Sequence, residues 1–118
     1  YDAAFQQTSW AIIPVNHTAD KQTCYHLYQL RIADVSEEQR DAIIQEIFEQ
    51  DVSVNVHFQP LPLLTAYKNL GYQMADYPEA WNKYSTEISL PVYFNLTDEQ
   101  VQQVIAAVNT AVFKVLQK

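Results

Sequence analysis

Residues 25–48, YHLYQLRIADVSEEQRDAIIQEIF, join a predicted β-strand to a predicted α-helix and decide the fold class. Aromatic and aliphatic side chains dominate residues 25–32, a composition that favours a strand. Five of them alternate between the two faces of that strand: Tyr25 and Leu27 on one, and Tyr28, Leu30 and Ile32 on the other. A strand with apolar side chains on both faces is typical of the interior of a sheet, so we predict that this strand is central.

The second half of the stretch predicts an amphipathic helix over residues 37–50. Ser36 and Gln39 have the spacing of a capping box, in which each side chain bonds the backbone N–H of the other residue. Four apolar residues then share one face of the helix: Ile43, Ile44, Ile47 and Phe48. That face is expected to pack against the rest of the domain.

Residues 52–58, VSVNVHF, predict a second strand. Val52, Val54, Val56 and Phe58 fall on one face, and Ser53, Asn55 and His57 fall on the other. The strand should end before Pro60, because proline cannot donate a hydrogen bond to a neighbouring strand.

The remaining segments predict a third strand over residues 87–93 and three further helices. Two of these helices are short, over residues 63–70, with Gly71 as terminator, and over residues 77–86. The last helix begins with a second capping box and carries a long apolar stripe: Val101, Val104, Ile105, Val108, Val112 and Val115.

The predicted order is therefore β-α-β-α-α-β-α within 118 residues, enough for one domain. We predict an α+β, two-layer fold with a small, largely antiparallel three-stranded sheet and helices packed on one face.

Composition excludes several functions. The net charge of −7, with 14 acidic and 7 basic residues, argues against a nucleic-acid groove. The chain lacks an apolar run long enough for a membrane span. Cys24 is the only cysteine, so neither an internal disulfide nor a cysteine-based zinc site can form, and we expect a buried thiol and a cytoplasmic setting.

The chain alone offers no complete active site. The three histidines lack metal-ligand spacing, and the acidic pairs lie at helix N-termini, where capping explains them. Eight tyrosines, concentrated in the second half, suit either core edges and interfaces or a polar ligand site near His57, and both interpretations stay open.

Three segments together resemble the DegT/DnrJ/StrS family of sugar aminotransferases. Residues 25–31 resemble its "HLY…R" strand, and residues 56–61 resemble its "VHYxPLH" segment. Residues 88–93 and 96–101 resemble its "SLPLYP-x-LTDEEV" ending.

The resemblance implies a pyridoxal-phosphate (PLP) enzyme of the aspartate-aminotransferase fold (fold type I). Such enzymes move an amino group, usually from glutamate, to a nucleotide-linked keto-sugar, and most are homodimers. By this resemblance residues 1–24 are a leading segment from a missing large N-terminal domain, and residues 25–118 are the small C-terminal domain.

In this family the Schiff-base lysine and the acid that binds the cofactor's ring nitrogen belong to the large domain. None of the five lysines here has that context, and Lys68 and Lys83 are interpreted as helix-surface residues. We therefore expect PLP in the full-length parent, no catalytic residue, cofactor or metal on this chain, and an inactive fragment.

The resemblance also selects site residues. His57 is the residue expected to face the substrate cleft, with Tyr67 and Arg31 as further substrate-binding candidates. The alternatives are a structural hydrogen bond for His57 and an ion pair for Arg31. Two departures from the family pattern are Pro62, which replaces its second histidine, and Asp51, which replaces a glycine after the first helix.

Two other functional hypotheses stay open. The chain could be a non-enzymatic α+β module that binds a partner through its tyrosine-rich surface. It could also belong to a degenerate aminotransferase-like protein that lacks the lysine.

Overall fold

The computed structural model describes residues 1–117, which form five α-helices around one three-stranded sheet. In chain order the elements are α1 (Asp2–Phe5), β1 (Ala11–Ile12), β2 (Tyr28–Ile32), α2 (Glu37–Phe48), α3 (Thr65–Asn69), α4 (Pro78–Thr86), β3 (Glu87–Leu90) and α5 (Asp98–Leu116). Two 3₁₀ turns, Leu61–Leu63 and Met74–Asp76, precede α3 and α4. The predicted α+β class is confirmed.

Both predicted capping boxes form. The Ser36 hydroxyl accepts a hydrogen bond from the backbone N–H of Gln39 at 3.2 Å, and the Gln39 side chain accepts one from the backbone N–H of Ser36 at 2.9 Å. Thr97 and Gln100 make the same pair of bonds at 3.3 and 2.9 Å. These bonds satisfy backbone donors that a helix start leaves unpaired, and so set where α2 and α5 begin.

The sheet is antiparallel with the order β1-β2-β3, so β2 is central as predicted. Leu30 lies opposite Ile88, and Arg31 lies opposite Glu87. Since neighbours across antiparallel strands share a face, the apolar pair and the charged pair lie on opposite faces of the sheet.

The apolar face of the sheet packs against α2 and α5. The largest fully buried apolar side chains from these elements are Leu30, Ile32, Ile43, Ile47, Ile88, Val108 and Val112. Arg31, Glu87 and their neighbours remain on the other side, called the open face here. The two-layer arrangement thus leaves one sheet face available for a site.

The prediction of a strand over residues 52–58 is wrong. Only Asn55 pairs with the sheet there, through two backbone hydrogen bonds to Ser89 of β3. The next two backbone N–H groups bond to side chains instead, that of Val56 to Asn55 Oδ1 at 2.8 Å and that of His57 to Glu87 Oε2 at 3.0 Å. The ladder therefore stops after one bridge, although Val52 and Val54 are buried as the alternation predicted.

The third strand is instead β1, which the sequence did not predict. Ala11 and Ile12 pair with Ile32 and Arg31, respectively. Phe5, also in the leading segment, is fully buried in the core. The packed unit therefore begins well before residue 25, and the assignment of residues 1–24 to a large domain stays a prediction.

Left-handed backbone conformations mark three boundaries. Asp51 has φ +57° after α2, as expected for a residue in place of a glycine, and Gly71 has φ +91° after α3. Tyr25 has φ +57°, which is incompatible with a strand, so β2 starts three residues later than predicted. Cys24 is consequently exposed in the preceding loop, and the prediction of a buried thiol is wrong.

Arg40 joins α2 to the junction between α4 and β3. Its side chain is buried, and Nη1 donates to the backbone carbonyls of Tyr84 at 2.6 Å and Glu87 at 3.0 Å. Nε donates to the Asp41 carboxylate at 2.7 Å, and Nη2 lies 3.5 Å from Glu37. The guanidinium carbon also lies 5.1 Å from the ring centroid of Tyr84. Because the buried charge has this many partners, its bonds hold the junction between α4 and β3 in a single geometry.

Glu87 and Gln29 hold the backbone of His57 over the open face. One Glu87 oxygen accepts from the His57 N–H and the other from the Ser89 hydroxyl. Gln29 Nε2 donates to the His57 carbonyl at 2.7 Å. Burial raises the pKa of the Glu87 carboxyl, and these hydrogen bonds oppose that shift only in part.

Replacement of Arg40 by leucine should lower the free energy of unfolding by about 3 kcal/mol or more, because two inward-facing carbonyl oxygens lose their donors. Chemical denaturation measures this loss. In the control, Asp41→Asn should cost under about 1 kcal/mol, because the Asp41 side chain is 60% exposed. Similar small losses in both variants would contradict the role of Arg40.

Replacement of Glu87 by glutamine should remove a pH dependence of stability. Because the folded-state pKa of Glu87 is raised, its stabilising contribution is complete below the ordinary glutamate pKa and is lost as pH rises through the raised value. Urea unfolding from about pH 4 to pH 8 should therefore show wild type losing stability relative to Glu87→Gln as pH rises.

The variant Glu87→Leu distinguishes the effect of Glu87 titration on stability from the effect of its hydrogen bonds. Leucine neither titrates nor accepts the bonds from His57 and Ser89, so this variant should be less stable than Glu87→Gln at every pH. A gain in the stability of wild type relative to Glu87→Gln as pH rises would contradict a raised pKa.

Candidate functional site

A cleft of about 670 Å³ lies over the open face of the sheet. Side chains of β2 and β3 form its floor, and one side of α4 forms a wall. Loop residues from three segments complete the rim: 13–16, 25–27 and 57–60. A concave site bounded by several elements is the usual setting for a small ligand.

The structure places two of the three predicted site residues in this cleft. Arg31 reaches it from β2, and His57 reaches it from the segment that bridges to β3. Tyr67 does not line the cleft. Its ring lies 5.9 Å from that of Tyr72, which in turn lies 6.5 Å from Tyr77, in a row of aromatic contacts beside α3.

His57 is held through its main chain, so its ring does not have to support the turn. Glu87 and Gln29 bond to its N–H and carbonyl, as described above. The imidazole packs edge-on against Phe58, with ring centroids 4.6 Å apart. Nδ1 is buried without a hydrogen-bond partner among residues 1–117. Backbone bonds position this residue, while its side chain retains unused hydrogen-bonding capacity.

Several polar lining residues were missed as site candidates, among them Gln29, Lys83 and Glu87. The signal for Gln29 is alternation, since it separates Tyr28 from Leu30 within β2. Glu87 is the first residue of β3 and lies before the core residue Ile88. Lys83 was interpreted as a helix-surface residue, and it is exposed, but it lies on the side of α4 that borders the cleft.

Tyr84 borders the cleft beside Lys83. Burial raises the pKa of the Tyr84 hydroxyl, with a further contribution from Glu37, and Arg40 opposes the shift. Tyr84 therefore acts in the cleft as a neutral hydroxyl, able to donate or accept a hydrogen bond.

Pro62 occupies the position of the family's second histidine and is buried in the turn Leu61–Leu63. It does not line the cleft, although Pro60 does. The pyrrolidine ring of Pro62 offers no side-chain hydrogen-bond donor or acceptor at this position.

The lysines within residues 1–117 do not fit the requirements of a covalently bound PLP. Such a site needs a lysine and an acid for the ring nitrogen. Lys114 is bonded to Glu46 at 2.6 Å. Lys83 reaches the cleft, but the carboxylate that also lines it, that of Glu87, already accepts hydrogen bonds at both of its oxygens.

Cys24 Sγ lies 3.3 Å from His26 Nδ1 in an exposed loop. Within residues 1–117 no group of three or more His, Cys, Asp and Glu side chains is arranged to hold a metal ion. Nor does any helix in that range have the length and apolar character required to cross a bilayer.

Solved structures resemble this domain closely. Spr1654 from Streptococcus pneumoniae, assigned as a sugar aminotransferase, shares 41% identity over 99% of this chain, with a TM-score of 0.94 for its apo and PMP forms. Its PLP form gives a TM-score of 0.92. PseC from Helicobacter pylori, an aminotransferase of pseudoaminic acid biosynthesis, shares 25% identity over 94% of the chain, with a TM-score of 0.82. This chain spans 29% of each of these proteins.

Sequence comparison agrees. The spore coat polysaccharide biosynthesis protein SpsC of Bacillus subtilis is 35% identical in an alignment 117 residues long that covers 95% of this chain and 29% of SpsC. The sequence model of the DegT/DnrJ/EryC1/StrS aminotransferase family matches residues 1–109. The chain therefore belongs to the DegT/DnrJ/EryC1/StrS aminotransferase family.

Proposed function

We propose that this chain is the C-terminal domain of a PLP-dependent aminotransferase that acts on a nucleotide-linked keto-sugar. The observation that carries the proposal is the likeness to Spr1654, which has been solved in PLP and PMP forms and matches this chain over 99% of its residues. The coverage of 29% supports a longer parent with a large N-terminal domain. The names of SpsC and PseC support a sugar as the amino acceptor.

In this proposal the domain completes the substrate cleft and contributes no catalytic residue. PLP, when bound to the parent, supplies the chemistry that moves the amino group. The lysine that holds it lies outside this chain, since the cleft contains no suitable lysine and free acid together. The domain's own residues bind and orient substrate, and they exclude water from one side of it.

His57 and Arg31 are the residues proposed to contact substrate. The His57 backbone is fixed by Glu87 and Gln29, so its imidazole is presented with little freedom to move. Arg31 projects from the central strand into the same cleft. A rigid histidine and an arginine from the sheet floor can orient a polar sugar substrate at two points.

Tyr67 remains a predicted substrate-binding residue. It lies outside the cleft, so a contact between Tyr67 and substrate would require a surface that the parent forms elsewhere, between its large domain or a second subunit and α3. Assembly of the parent as a homodimer is part of the same proposal.

The parent polypeptide should bind PLP covalently and transfer an amino group from glutamate to a nucleotide-linked keto-sugar. The isolated 118-residue chain should do neither, because it lacks the lysine and the acid. Borohydride reduction followed by mass spectrometry locates the pyridoxyl group. A pyridoxyl group on any of the five lysines in this chain would contradict the proposal.

His57→Ala in the parent should lower kcat/KM for the keto-sugar by about tenfold or more, because a substrate contact is lost. Alanine keeps the N–H and carbonyl that Glu87 and Gln29 hold, so the fold should be retained. Rates measured separately with glutamate and with the keto-sugar assign the loss to one substrate. His17→Ala, in an exposed loop, is the control, and equal losses in both variants would exclude a role for His57.

A further inference from the structure

Arg31 has no anionic partner among the described residues 1–117, although a glutamate lies directly opposite. Arg31 and Glu87 are cross-strand neighbours on the open face. Opposite charges at such positions ordinarily attract each other and form a pair. Within residues 1–117, however, no carboxylate oxygen lies within 4.0 Å of the Arg31 guanidinium, and the side chain makes no hydrogen bond.

The bonds of Glu87 explain why this pair does not form. Its two oxygens accept hydrogen bonds from the Ser89 hydroxyl and the His57 N–H. Glu87 is also 4% exposed, and burial favours its neutral form. The expected counter-ion of Arg31 is thus engaged elsewhere, and the charge of Arg31 is left uncompensated.

A second cation shares the cleft. Lys83, in the last turn of α4, lines the same cavity and is exposed. Like Arg31, it has no carboxylate within 4.0 Å among the described residues. The two cations therefore face a cavity whose only carboxylate, Glu87, is buried and already bonded.

This local charge is opposite to that of the chain as a whole. The net charge is −7, so the protein surface repels extended polyanions such as nucleic acid. A small anion can still enter the cavity of about 670 Å³ that both cations line. The guanidinium presents paired N–H donors to two oxygens of one group, and the ammonium adds a point charge.

We propose that Arg31 and Lys83 form a binding site for an anionic oxygen group of a substrate, a carboxylate or a phosphate. The existence of the site depends only on the geometry of the cleft, whereas the origin of the anion rests on the proposed function. Under that function the group comes either from the phosphates of the nucleotide-linked sugar or from a carboxylate of the amino donor.

The test is isothermal titration calorimetry on the PLP-loaded parent protein, in which the cofactor's own phosphate site is already filled. The probes are inorganic phosphate and glutarate, a dicarboxylate without an amino group. Wild type should bind at least one probe, and added sodium chloride should weaken binding by screening. Arg31→Gln should weaken it about tenfold, because a charge-assisted, two-point contact is lost.

Three further variants sharpen the result. Lys83→Gln should weaken probe binding less than Arg31→Gln, because a single-point contact is lost. Arg31→Lys keeps the charge without the fork, so its affinity should be intermediate, and it serves if Arg31→Gln does not fold. Lys68→Gln, on α3 outside the cleft, is the matched control for charge and should bind like wild type.

The probe that binds identifies the source, phosphate for the activated sugar and glutarate for the amino donor. Failure of both probes to bind wild type, or unchanged binding in Arg31→Gln, overturns the site. These outcomes are independent of the proposed function. If the parent transfers amino groups but Arg31→Gln binds the probes as wild type does, only the proposed anion site is overturned. If the parent binds the probes through Arg31 but does not transfer amino groups, only the proposed function is overturned.

Discussion

The buried guanidinium of Arg40 is the interaction on which the geometry of the cleft depends. It bonds to the carbonyls of Tyr84 and Glu87, which belong to the end of α4 and the start of β3. The last carbonyls of a helix have no partner within it, so Arg40 completes α4 from a neighbouring helix. Because α4 carries Lys83 and β3 carries Glu87, one side chain of α2 ties the position of α4 to that of β3. Such an arrangement requires that every charge and lone pair be matched, since a buried cation with missing partners is strongly destabilising.

Local features of the sequence were sufficient for the helices and the central strand. Ser36 and Thr97 start α2 and α5 through bonds within four residues, and a pattern of that range can be read from the chain alone. The errors lie where distant residues compete for backbone donors. Residues 52–58 have the alternation of a strand, but a side chain of Glu87, thirty positions away, takes the N–H of His57. Conversely, the two residues of β1 carry no local signal and pair only because β2 offers a free edge.

The candidate site, too, could be predicted from the sequence only in part. His57 and Arg31 could be selected from the sequence, since the resemblance marked both. Their presence in one cleft could not, because it requires the register of β2 against β3 and the bridge at Asn55. Lys83 was missed for a related reason. An exposed lysine in a helix has many possible surroundings, and only the packing of α4 beside the open face decides among them.

The edges of the sheet bear on how this domain can meet other chains. One edge is β1, which is two residues long and is followed, after Ile13, by Pro14. The other edge of β3 is covered by the segment around Asn55, which makes a single bridge and then reaches Pro60. A sheet grows by adding strands only where a row of backbone donors and acceptors is free, and neither edge presents such a row. Accidental polymerisation through the edges of the sheet is therefore disfavoured, even while its open face is accessible.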